Sequence, residues 1–85
     1  MGFIEQKVSD AIYDLYLNHD KEINANIVEA YEGREYVIML NKDGCWILSD
    51  PEANVLAKIF YIDLYYDAIG AFTNIILGAE SRRSL

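Results

Sequence analysis

Few side chains in this sequence are of the kind that carry out chemistry, and their spacing limits what they can do. One histidine, His19, stands in "YLNHDK". It has no second histidine with which to hold a metal and no serine in a triad-like context, so it reads as a surface or helix-capping residue. One cysteine, Cys45, follows a turn glycine and precedes Trp46. A catalytic thiolate needs basic surroundings to lower its pKa, and Lys42 is the only base nearby in sequence, so Cys45 reads as structural. Asp63 and Asp67 have i,i+4 spacing, but two carboxylates on one helix make a weak cation site. "NKDG" shares its Asp and Gly with calcium loops, yet it lacks their alternating ligands and distal glutamate. No glycine-rich loop is present to cradle a phosphate. The expectation is a protein that is not an enzyme and has no metal and no cofactor.

Carboxylates are the one abundant functional group. Fourteen acidic residues oppose seven basic ones, for a net charge of −7. Nucleic acid and anionic membranes repel such a body, because both recruit Lys and Arg. Basic protein surfaces attract it and speed encounter. The acids at strand ends and turns (Glu29, Glu32, Glu35, Asp43), together with those along the first helix and the loop after it (Asp10, Asp14, Asp20, Glu22), form the expected partner-binding surface. The alternative is that they are solvated charges at exposed positions. The lone cysteine rules out an internal disulfide and suggests a reducing compartment, the cytoplasm. "MGFIEQKVSD" is not expected to be a signal peptide, since Glu5 and Asp10 interrupt any apolar stretch. Gln6 replaces the Ser or Thr of a myristoylation signal.

The elements that must position these residues follow from periodicity. A chain of 85 residues makes one domain with a thin core, and its 53% hydrophobic content compensates for the small size. Phe3, Ile4, Val8, Ala11, Ile12, Leu15 and Tyr16 recur at spacings of three and four, which predicts a helix over 3–19. Alternation in "EINANIVEAY" predicts a strand over 22–31, and "EGR" at 32–34 reads as a turn. A second strand is expected over 35–41. "NKDG" forms a type I turn closed by Gly44 in the left-handed region, and a third strand follows at 45–49. "SDPEA" at 49–53 carries helix-start signals, a capping Ser or Asp followed by Pro51. A long C-terminal helix is therefore expected over 51–78, with Gly70 as a kink or break. Lys58, Asp63 and Asp67 inside that run argue against a membrane span. The predicted class is α+β with the order αβββα, residues 1–80 forming the domain and 81–85 a disordered tail.

The middle of the chain poses a packing question. "EYVIMLNKDGCWIL" is apolar on both sides of both strands, so both sheet faces need cover. Either the two helices lie on opposite faces, or one face meets a partner or a second copy. The apolar interface residues expected in the second case are Val37, Met39, Trp46 and Leu48.

This element order, the acidic charge, the "DG" turn and the stretch "EYVI" (Glu35 to Ile38) together resemble the small, acidic, phage-encoded anti-CRISPR inhibitors of type II-A Cas9. One of these has a helix, a three-stranded antiparallel sheet and C-terminal helices. The likeness covers most of the chain. In that inhibitor the stretch similar to "EYVI" follows the turn, whereas here it precedes it. The resemblance implies DNA mimicry, with carboxylates occupying the phosphate and PAM-base sites of a basic channel in a Cas nuclease. The C-terminal segment is more apolar than such an inhibitor needs. The same charge suits an immunity protein or antitoxin directed at a nuclease, and the apolar surface suits a structural or adaptor homodimer.

Overall fold

The computed structural model describes residues 2–19 and 24–83. Helix α1 (Phe3–Leu17) is followed by four strands, β1 (Ala25–Glu29), β2 (Glu35–Leu40), β3 (Trp46–Ser49) and β4 (Val55–Ile59), and then by helix α2 (Tyr65–Arg83). The strands form one antiparallel sheet in the order β1-β2-β3-β4. The α+β class is as the sequence predicts, with one strand more.

Helix α1 forms where the apolar spacing places it. Ile4, Val8, Ala11, Ile12 and Leu15 are buried along one stripe. Asn18 ends the helix, its backbone N–H reaching the carbonyls of Asp14 and Leu15 and its side-chain amide donating to Asp14 O at 2.8 Å. His19 Nδ1 donates to Tyr16 O, a helix-end carbonyl, at 2.7 Å.

Two turns of the same design carry the chain from β2 to β3 and from β3 to β4. In the first, Asn41 Oδ1 accepts from the N–H groups of Asp43 (3.0 Å) and Cys45 (2.9 Å), and Gly44 sits at φ +82°. In the second, Asp50 Oδ1 accepts from the N–H groups of Glu52 (2.9 Å) and Asn54 (2.8 Å), and Ala53 takes φ 68°. Those donors, Asn54 foremost, hold the Asp50 carboxyl below its ordinary pKa.

This second turn corrects the expected helix over 51–78. An acceptor side chain followed by Pro opens a helix and a type I turn equally well. Tertiary pairing decides here, because β3 offers an open edge and Trp46, Ile47 and Leu48 align with Ile59, Lys58 and Ala57. The helix begins only at Tyr65. It then runs to Arg83, so residues 81–83 are helical rather than part of a frayed tail.

The core lies between the sheet and both helices. Val28, Tyr36, Ile38, Leu40, Trp46 and Leu48 project from one sheet face into the same cluster as Ile4, Val8, Ile12 and Leu15 of α1 and Ala68, Phe72 and Ile76 of α2. The Trp46 indole N–H donates to Ile62 O at 3.2 Å, so its polar end is satisfied. The two helices therefore share one face, and among the described residues no helix or strand packs on the other, open face. Two of the residues expected at an apolar interface, Trp46 and Leu48, belong to the core, each with 0% exposure. The period-two alternation of β3 puts both on the helix side. Val37 and Met39 lie on the open side, half-buried and exposed respectively.

Two substitutions test this description. Ala53 occupies a backbone region that costs an L-residue about 1–2 kcal/mol, so Ala53→Gly is expected to stabilise by ~0.5–1 kcal/mol. Gly70 lies inside α2 with nothing within 4 Å of an added Cβ, so Gly70→Ala is expected to gain about 1 kcal/mol. Urea unfolding measures both. A loss of stability in Ala53→Gly would contradict the β3–β4 turn.

Candidate functional site

Four of the acids singled out in the sequence converge. Asp10 and Asp14 of α1 and Glu29 and Glu35 of the β1–β2 pair line one shallow groove of about 540 Å³, together with Lys7 and Asn26. Helix α1 supplies its pair because positions 10 and 14 are one turn apart on its solvent side. The groove is internally braced. Asn26 Nδ2 donates to Asp14 Oδ2 and to Ala11 O, each at 3.0 Å, which ties β1 to α1. Gln6 Nε2 donates to Asp10 Oδ1 at 2.8 Å. Lys7 is partly drawn aside, its Nζ lying 4.8 Å from the centre of the Phe3 ring. Glu29 and Glu35 are directly opposite one another across the ladder. Like charges so placed weaken strand pairing, which makes this corner a local sacrifice of stability.

Two of the other acids lie elsewhere. Glu32 sits in the β1–β2 turn at φ 59° and pairs with Arg34 at 3.0 Å. Asp43 lies in the β2–β3 turn. Asp20 and Glu22 fall outside the described residues. Of the eight acids expected at one surface, four line this groove and two, Glu32 and Asp43, lie away from it.

The sheet's open face adjoins this groove. It displays Ile27, Val37, Met39, Ile47 and Val55, with Ile27 59% and Val55 55% exposed. At one end of the face, a depression of about 580 Å³ lies between the β1–β2 and β3–β4 turns, bounded by Ile27, Arg34, Glu35, Val37 and Pro51. Among the described residues no group of three or more His, Cys, Asp or Glu is placed to hold a metal ion.

Sequence reasoning missed two clusters. Glu80 is buried on α2, where Arg34 Nε and Nη2 grip its two oxygens at 2.8 and 2.7 Å and the Tyr36 hydroxyl donates to it at 2.8 Å. Arg83 lies 3.6 Å away, one turn on, and reaches Glu52 at 3.3 Å. The Arg34 contacts foremost hold the Glu80 carboxyl below its ordinary value against the opposing effect of burial, and Glu80 in turn keeps Arg34 more firmly charged. The signal was the spacing of Phe72, Ile76 and Glu80, which puts the acid on the buried stripe. The second cluster joins Tyr13 and Tyr16 of α1 to Tyr65 and Tyr66 of α2, with centroids 4.3 to 6.3 Å apart. Hydrogen bonding with Tyr66 pushes Tyr65 up to about 12 and raises Tyr13, while the same bonds lower Tyr66.

No protein-family model, curated protein sequence or solved structure matches this chain. Among the described residues, no helix is long and apolar enough to cross a membrane.

The Glu80 cluster predicts a pH dependence. A carboxyl depressed in the folded state stabilises above its ordinary value, near 4.5, and that contribution is lost as pH falls through the lower folded value. Thermal unfolding should thus weaken below about pH 4.5, and Glu80→Gln should show a shallower decline there. At pH 7 Glu80→Gln is expected to cost about 2–3 kcal/mol, less than a fully buried pair, because the Arg34 side chain keeps 22% exposure.

Proposed function

We propose that this protein binds a basic protein surface and blocks it, as an inhibitor of the anti-CRISPR kind acting on a Cas nuclease by occupying its nucleic-acid-binding channel. The observation that carries this reading is the groove in which Asp10, Asp14, Glu29 and Glu35 come together. Four carboxylates in one groove, two from one turn of a helix and two from a strand pair, offer a string of Lys or Arg side chains a concentration of negative charge in place of a nucleic-acid backbone. The like-charged Glu29–Glu35 pair supports it further, since an arrangement that weakens the sheet is relieved when a cationic partner arrives. The net charge of −7 steers the encounter. An immunity protein or antitoxin that shields a nuclease would use the same chemistry on a different target.

Titration calorimetry against a type II-A Cas9–guide RNA complex tests this reading. Binding is expected to weaken about ten-fold or more between 0.1 and 0.5 M salt. Asp10→Asn with Asp14→Asn should weaken it by a similar factor. Glu35→Gln should lower affinity while raising Tm by about 1–4 °C, because it removes repulsion within the ladder. No binding to that complex, but salt-sensitive binding to another basic nuclease that requires the same four acids, would move the target to the immunity reading. Binding indifferent to salt and to all four acids would overturn both.

A further inference from the structure

We propose that the open sheet face is a homodimer interface, in which two copies pack face to face about a two-fold axis with their strands crossed near 90°. This goes beyond the blocking function, since it needs no other protein. Half-buried Val37 lies near the centre of the face beside Ser49, and exposed Met39 and half-buried Ile47 lie in the next row of the same face. Both helices lie behind the sheet, and none of the described residues forms a layer over its front.

The charges on this face identify a second copy as its occupant. Ladder register puts Ala25, Met39, Ile47 and Lys58 in one row across the four strands and Glu29 and Glu35 in a row four residues along. Lys58 and Glu29 are therefore at diagonally opposite corners. Three strand spacings make about 14 Å and four residues of strand also make about 14 Å, so the face is close to square. A two-fold axis in the sheet plane, along the other diagonal through Ala25, superposes each Lys58 on the partner's Glu29 corner. Glu35, one strand in, falls beside the same ammonium. The pair forms twice, once on each side of the axis. An axis parallel to the strands would face Lys58 with the partner's Ala25, and an axis across them would leave both corners unpaired. Of these three axes, only the diagonal one brings a cation to the Glu29–Glu35 pair and offsets one of its two charges, and sheets do pack near 90° in proteins. Val37 then lies close to the axis and meets its own copy.

The face measures roughly 19 by 17 Å, small beside the ~800 Å² per partner of a standard interface, so the dimer should be weak and visible only at high concentration. Sedimentation equilibrium of the purified chain from about 5 µM to 1 mM is the test, with circular dichroism confirming that each variant folds. A monomer–dimer equilibrium is expected, lost in Val37→Glu and in Lys58→Glu and regained when Lys58→Glu is combined with Glu29→Lys. A monomer throughout would overturn the proposal, as would a dimer that survives Val37→Glu and Lys58→Glu. Loss without rescue in the charge-swapped variant would overturn the crossed orientation and with it the proposal. Asp10→Asn and Asp14→Asn, which weaken binding to a basic partner, should leave the dimer unchanged, so the two readings fail separately.

Discussion

Two helices that pack against each other can cover only one face of a four-stranded sheet, and most of this molecule follows from that constraint. The side chains of α1 and α2 meet those of the sheet in one cluster around Tyr36, Trp46 and Phe72. Everything on the far side of the sheet must then be stable in water or be covered by something else. The composition shows the consequence. An 85-residue chain with 53% hydrophobic residues leaves several of them, including Ile27 and Val55, in solvent. On the helix side, the buried Thr73 hydroxyl has no hydrogen-bond partner among the described residues.

Charge is organised by the same division. The acid that the core admits, Glu80, is matched by a bidentate arginine and a tyrosine hydroxyl, as a buried carboxylate requires. It locks the C-terminal end of α2 onto β2. Among the described residues, the acids at the α1–β1 margin and the sheet corner form no ion pair with an arginine, and two of them oppose each other on the ladder. A residue pair that works against folding, next to an uncovered apolar face, sets this margin apart from the helical layer.

Local signals were legible where a single residue type fixes the backbone. The β2–β3 turn could be read because Gly44 stands at its left-handed position. The β3–β4 turn has the same hydrogen-bonding scheme but puts Ala53 there, and its Asp-Pro opening imitates a helix start. The missing glycine cost the reading a whole strand, and the expected helix moved by fourteen residues, from 51 to 65. Asp10 and Asp14 could be paired from helical spacing alone. Their meeting with Glu29 and Glu35 could not, because it depends on how α1 crosses β1. Glu80 and Arg34, separated by 46 positions, are brought together only by the docking of α2 on the sheet.

The sequence by itself determined the α+β class, the extent of α1, the three-stranded hairpin run and the acidic character, since periodicity, turn chemistry and charge are properties of neighbouring residues. It also determined that the hairpin would be apolar on both faces. Which face the helices took was decided only in the tertiary structure. That choice rests on the joint packing of Trp46, Leu48 and Tyr36 against Phe72 and Ile12, residues up to sixty positions apart. It also separated the four residues expected at an interface, sending Trp46 and Leu48 inward and leaving Val37 and Met39 on the open side. Long-range burial selects between alternatives that local patterning makes equal, because the free energy of covering a face belongs to the whole assembly and to no single segment.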